Sequence, residues 1–185
     1  MDAVGSAFLA FPRTGFLPRS QRRLAGFDGP LNIGHGQTNS QPRTVEAMLE
    51  LLDVRPGQRV LDVGSGSGWT TALLAFLTGG TGEVLGVEIE KDLVAFGSAN
   101  LAATDQPWAS IRLATPGVLG LPDRAPYDRI LVSAEPRTLP DELVDQLGDG
   151  GRMVIPVSGT MLRVTRTGDD VEVTEHGGYR FVPLR

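Results

Sequence analysis

The chain has 185 residues, 41% of them hydrophobic, which is enough to close one apolar core and leaves little room for a second folding unit. A formal net charge of −5 argues against a nucleic-acid partner, because phosphate contacts need a basic face. The absence of cysteine excludes a disulfide framework, a thiolate nucleophile and a cysteine-ligated metal, and no metal site is expected.

The first forty residues, rich in Gly, Pro and Arg, show no sustained period and are expected to wrap the domain as loops and short helical turns. Their basic group, Arg13, Arg19, Arg22 and Arg23, reads as an ordinary solvated segment. From Gln41 the pattern changes. Val45, Met48, Leu49 and Leu52 recur at helical spacing after Ser40, so an amphipathic helix is expected from Gln41 to Leu52, ended by Arg55-Pro56-Gly57. Short apolar or β-branched runs follow at Arg59 to Val63, Glu83 to Glu88, Ser110 to Leu113, Arg129 to Ser133 and Arg152 to Val157, as in strands buried on both faces. Helical patterns at Thr70 to Leu77, Lys91 to Ala103 and Pro140 to Leu147 fill gaps between them, and that alternation is the signature of a parallel sheet covered by helices. Met161 to Arg166 and Val171 to Thr174, joined by Thr167-Gly168-Asp169-Asp170, are expected as an edge hairpin. The expected architecture is thus one α/β, Rossmann-like domain with a mostly parallel, doubly wound sheet and a C-terminal antiparallel edge hairpin. Residues 1–40 form its wrapping segment, 41–157 its core and 158–185 the hairpin. No run approaches the roughly 20 apolar residues of a membrane span, and the N-terminus lacks the order of a secretory signal. A cytoplasmic monomer without a membrane partner is the expectation.

The sharpest motif is Val60-Leu61-Asp62-Val63-Gly64-Ser65-Gly66-Ser67-Gly68-Trp69, placed where an expected strand turns into an expected helix. Glycines at 64, 66 and 68 permit a tight turn and let a ligand approach bare backbone. The spacing is G-x-G-x-G, whereas a dinucleotide loop has its third glycine where Trp69 stands. This shorter form, with Asp62 two residues before the first glycine, suits a ligand carrying an ammonium group, such as a methionine moiety; Asp62 alternatively caps the following turn. Glu88 ends the next strand, where such folds place an acid that accepts hydrogen bonds from both ribose hydroxyls. Loop and acid agree on a nucleoside ligand.

Together with Ile33-Gly34-His35-Gly36-Gln37-Thr38-Asn39-Ser40-Gln41-Pro42, this loop strongly resembles the protein-L-isoaspartate O-methyltransferase family, which carries I-G-x-G-Q-T-I-S-Q-P before its first core helix. Further matches run along the chain: Pro12-Arg13 with Phe16-Leu17-Pro18, Val87-Glu88-Ile89, Ala125-Pro126-Tyr127-Asp128, Gly150-Gly151-Arg152 and Arg180-Phe181-Val182-Pro183-Leu184. The resemblance implies a class I methyltransferase fold and an enzyme that uses S-adenosyl-L-methionine, releasing S-adenosyl-L-homocysteine. Its substrate is a peptide or protein whose isoaspartyl α-carboxylate is methylated, the ester then closing to a succinimide. It implies cofactor contacts from Asp62, Gly64, Ser65, Gly66, Gly68, Glu88, Ile89, Pro116 and Gly117. Ser40 lies beside the transferred methyl, Gln37, Thr38 and Asn39 help build the substrate cleft, and Arg180, Phe181 and Val182 hold the substrate backbone. Read locally, Ser40 is instead a helix N-cap. His35 reads as a structural loop residue, His176 as an exposed strand residue, and Trp69 and Trp108 as packing residues.

Five positions depart from the family. Pro116, in Ala114-Thr115-Pro116-Gly117-Val118, stands where an aspartate usually meets the adenine amino group, and Val118 and Leu121 replace aromatics. Glu135, in Ser133-Ala134-Glu135-Pro136, places a carboxylate near the expected cleft, where it repels an isoaspartyl carboxylate unless paired, with Arg137 as the candidate partner. Asn39 replaces an aliphatic residue beside Ser40. These departures leave two alternatives: a carboxyl methyltransferase dedicated to one peptide or biosynthetic intermediate, and a nucleoside-binding module without turnover.

Overall fold

The computed structural model describes residues 2–185. After the helix α1 (Ala3–Ala10) and two 3₁₀ turns comes a small antiparallel ribbon, β1 (Leu31–Gly34) and β2 (Gln37–Asn39), leading into α2 (Pro42–Leu52). The core then alternates β3 (Arg59–Val63), α3 (Trp69–Thr78), β4 (Glu83–Glu88), α4 (Lys91–Ala102), β5 (Ala109–Leu113), β6 (Tyr127–Val132) and α5 (Asp141–Val144). Three long strands finish the chain: β7 (Leu147–Val157), β8 (Thr160–Thr167) and β9 (Asp170–Gly178). Among the described residues, seven strands form one sheet in the order β5-β4-β3-β6-β7-β8-β9, parallel from β5 to β7 and antiparallel beyond.

This order decides where a ligand binds. The chain runs outward from β3 through β4 to β5, then returns to the other side of β3 with β6, so the loops leaving β3 and β6 part and open a crevice at the strand C-termini. Leu73 and Leu74 of α3, Met48 and Leu49 of α2, and Val60, Val84, Leu131 and Val154 of the sheet bury one face. Leu61, Leu85, Ile130, Met153 and Ile155 point to the other, covered by Leu143 and Val144 of α5. Strands apolar on both faces follow from that double coverage.

The expected strands at Arg59 to Val63 and Glu83 to Glu88 match residue for residue, and the edge hairpin is present but longer on both arms. The N-terminal segment is more regular than expected. α1 is apolar around most of its circumference, so it carries no helical period; Asp2 Oδ1 caps it by accepting from Gly5 N at 2.7 Å, and Phe8 packs edge-on against Trp69. The ribbon β1–β2 was not among the expected strands; its His35-Gly36 turn takes positive φ at both residues (54° and 70°), the requirement of a type I′ hairpin. The expected helix from Pro140 to Leu147 shrinks to Asp141–Val144. Buried Gln146 satisfies Leu119 O, Glu142 O and Leu121 N with its side chain, and Leu147 leaves the helix to pair with Tyr127. Among the described residues no helix is long and apolar enough to cross a membrane.

Candidate functional site

The glycine loop is fixed before any ligand arrives. Gly64 N and Ser65 N both donate to Val87 O (2.9 and 3.1 Å), Gly68 N closes the turn on Ser65 O (2.8 Å), and Asn100 Nδ2 donates to Ser67 O (2.9 Å). At Gly68, φ is +83° and a Cβ would sit 2.8 Å from Gly97 O, so no other residue fits. At Gly66 a Cβ would meet Ile33 Cδ1 at 3.2 Å and fill the space between the loop and the ribbon.

Glu88, only 6% exposed, is held by three backbone amides: Oε2 accepts from Gly66 (2.9 Å), and Oε1 accepts from Ile89 (2.7 Å) and Glu90 (3.0 Å). Oε2 therefore retains room for a further donor. Ala114 N donates to Glu88 O, which brings the segment after β5 alongside.

Beneath the loop lies Asp62, fully buried. Its Oδ2 accepts from Thr70 Oγ1 (2.8 Å) and Thr71 Oγ1 (2.7 Å), which ties β3 to the first turn of α3, and Oδ1 has no partner among the described residues. Burial pushes its pKa up to about 6, against the Thr71 and Thr70 hydrogen bonds that lower it and with the charge of Glu88 that raises it. The threonine contacts are those of a turn-anchoring residue, and Asp62 does not reach the pocket wall.

The reading of Arg13 as a solvated residue is corrected. It is 4% exposed, and its guanidinium donates to Asn39 Oδ1 (2.6 Å), Asn39 O (2.7 Å), Gly29 O (2.9 Å) and Phe27 O (3.0 Å), lying 5.8 Å from the centre of the Trp69 ring. Burial pulls its pKa down to about 10, with Asp28 opposing, so it stays cationic at neutral pH. Asn39 in turn donates through Nδ2 to Ser67 Oγ at 2.9 Å. A buried polar chain, Arg13 to Asn39 to Ser67, thus joins the N-terminal segment to the glycine loop, which accounts for a polar residue at position 39.

These elements line a pocket with about 860 Å³ of space, its open mouth included. Gln37, Thr38, Asn39 and Ser40 line one side; Gly64, Ser65, Gly66, Glu88 and Ile89 line another; Val182 of the C-terminal segment completes it. Ser40 is not the helix N-cap, a position taken by Gln41 with Pro42 in the first turn, so its hydroxyl is not committed to α2. His35 sits at the ribbon tip outside the pocket wall, 3.3 Å from Asp92 and 3.8 Å from Glu90, ion pairs that form when its ring is protonated.

Several expected site residues lie elsewhere. Gly68 belongs to the turn into α3. Pro116 and Gly117 are exposed on a turn closed by Val118 N to Thr115 O (3.0 Å), with proline and a positive-φ glycine at its centre as in a type II turn; that turn carries them out to a neighbouring cleft. Val118, Leu119 and Ala114 line the pocket in their place. Arg180 is exposed and Phe181 packs on the core. Glu135 is not paired with Arg137; it accepts from Gly159 N (2.9 Å) and Phe181 N (3.0 Å). Ile33, Ser133 and Ala134 also line the pocket without having been singled out. Ser133 and Ala134 follow β6 at its C-terminal end, the position that the strand-order rule marks.

The site fits a nucleoside joined to an amino acid. It offers an acidic acceptor with a free position at Glu88, a cradle at Gly66 that a side chain would fill, a buried Ser65 Oγ without a partner among the described residues, and an apolar wall of Ile89, Ala114, Val118 and Leu119.

Comparison with known proteins agrees with this geometry. The protein-L-isoaspartate(D-aspartate) O-methyltransferase (PCMT) family model matches residues 1–185. The chain is 44% identical over 188 residues to the protein-L-isoaspartate O-methyltransferase of Methanopyrus kandleri, covering 99% of this chain and 83% of that one. It is 43% identical over 187 residues to protein-L-isoaspartate O-methyltransferase 1 of Rhodopseudomonas palustris, covering 98% and 75%. The fold is similar, with a TM-score of 0.89 and 27% identity over 100% of this chain and 91% of the other, to a Plasmodium falciparum protein assigned as a protein-L-isoaspartate O-methyltransferase and crystallised in complex with S-adenosyl-L-homocysteine.

Proposed function

The chain belongs to the protein-L-isoaspartate(D-aspartate) O-methyltransferase family, and from that premise we propose that it methylates the α-carboxylate of L-isoaspartyl residues in proteins, using S-adenosyl-L-methionine. The ester then closes to a succinimide, which opens the route back to aspartate. One observation carries this reading: the stretch Gln37 to Ser40, the loop Gly64 to Gly66 and Glu88 line a single pocket.

Glu88 accepts from a ribose hydroxyl through its Oε2, Ser65 holds the amino-acid end, and Ile89, Ala114, Val118 and Leu119 bound the adenine. Asp62 lies buried beneath the loop, and in its ionised form it sets a negative potential there that favours a cationic ligand over a neutral one. When bound, S-adenosyl-L-methionine supplies a sulfonium methyl to a carboxylate that is already ionised at neutral pH, so no general base is needed. What remains for the protein is alignment and exclusion of water. Ser40 orients the acceptor carboxylate by donating its hydroxyl, and Val182 and its neighbours shield it.

Labelled-methyl transfer to an isoaspartyl peptide tests this. Wild type labels the peptide, and Ser40→Ala lowers kcat by about 10- to 100-fold, the value of one hydrogen bond to a charged group at roughly 1.5–3 kcal/mol. Because Gln41 and not Ser40 caps α2, stability should change by less than about 0.5 kcal/mol, and S-adenosyl-L-homocysteine affinity by less than about threefold. Unchanged kcat would remove Ser40 from the mechanism.

A further inference from the structure

Glu135 stands three residues beyond the end of β6, and its position would place a carboxylate beside the acceptor site were the side chain free. It is not free. Its Oε1 accepts from Gly159 N, in the turn between β7 and β8, and its Oε2 accepts from Phe181 N, in the segment that follows β9. The backbone of the same residue pairs with that segment on both sides, Glu135 N donating to Val182 O (2.8 Å) and Leu184 N donating to Glu135 O (3.0 Å). One residue thus connects the sheet, the β7–β8 turn and the C-terminal segment. Val182, Pro183 and Leu184 line the pocket, and among the described residues the segment's backbone is tied back by Tyr179 N donating to Gly159 O (2.8 Å) and by the bridge between Glu135 and Pro183. Tyr179 and Phe181 pack on one apolar cluster, Leu184 on the other, and Arg185 makes an exposed contact to Glu90, but the stretch that faces the pocket takes its side-chain hydrogen bond from Glu135.

We propose that Glu135 is a positioning residue for the methyl acceptor, its carboxylate holding the segment Arg180–Leu184 against the pocket so that the acceptor peptide meets a preformed wall. This rests on the isoaspartyl reading given above. It also reverses the electrostatic expectation for this position. A free carboxylate would repel the acceptor and its removal would improve substrate binding, whereas a carboxylate engaged by two amides acts through the segment, and its removal weakens substrate binding.

The test compares wild type, Glu135→Ala and Glu135→Gln in methyl transfer to an isoaspartyl peptide, alongside amide hydrogen exchange. Loss of charge-assisted hydrogen bonds should raise the peptide KM about tenfold in Glu135→Ala, with kcat within about twofold. S-adenosyl-L-homocysteine affinity should stay within about threefold, and amides at 181–184 should exchange at least about tenfold faster. Glu135→Gln, which keeps the shape but turns one acceptor into a donor facing an N–H, should also raise KM. An unchanged or lower KM in both variants, or unchanged exchange at 181–184, overturns the positioning role while leaving the activity standing. A wild-type protein inactive on the peptide overturns the substrate reading and this role with it.

Discussion

Replacing Glu88 with alanine weakens S-adenosyl-L-homocysteine binding by about 10- to 100-fold, because the ligand loses a hydrogen bond to a charged acceptor worth roughly 1.5–3 kcal/mol. The variant also loses stability. The carboxylate it removes accepts from Gly66, Ile89 and Glu90, and Gly66 belongs to the loop that faces the ligand. Buried amides left without acceptors cost about 1–3 kcal/mol each where water cannot reach them. The pocket is open enough for partial rescue, so a total near 2–4 kcal/mol is expected, or roughly 5–15 °C in Tm for a chain of this size. Titration calorimetry well below the melting transition separates the two effects. Unchanged affinity in a folded variant would remove Glu88 from the ribose contact and leave it only its loop-bracing role.

The largest stability effect is expected at Arg13. Arg13→Met keeps much of the side chain's volume but leaves Asn39 Oδ1, Asn39 O and Gly29 O buried without their donor. It also removes the cation from the Trp69 face. Breaking such a network costs about 3–5 kcal/mol, which lowers Tm by roughly 10 °C or more. The effect should be smaller when position 39 carries leucine, since fewer acceptors are then stranded; the double-mutant cycle should give a coupling of at least about 1 kcal/mol. Melting within 2 °C of wild type would mean that the N-terminal segment contributes little to the loop's placement.

The sequence announced the parts of the molecule whose physics is local or periodic. β3 and β4 are apolar runs bounded by turns, and the helix from Pro42 to Leu52 repeats its apolar residues at helical spacing, so their positions followed from pattern alone. α1 escaped because it is apolar nearly all round and therefore has no period, and the β1–β2 ribbon because strands of four and three residues are too short for their alternation to stand out. The site followed the same division. The glycine loop, Glu88 and the Gln37 to Ser40 stretch were visible as motifs and share one pocket. Arg13 and Glu135 were misread because the sign of a charge says nothing of its burial or partners, and both turn out to be fixed by backbone groups distant in sequence. Pro116 and Gly117 were expected at the cofactor, but they form a turn that points away from the pocket, and the apolar residues that follow them form its wall.

On the proposed function, this pocket methylates isoaspartyl carboxylates as a class. The direct test is labelled-methyl transfer to a panel of isoaspartyl peptides of unrelated sequence, each beside its aspartyl twin. Label is expected on every isoaspartyl member, with KM values within about two orders of magnitude, and none above background on the twins. Label confined to one sequence, or equal label on both isomers, would contradict it.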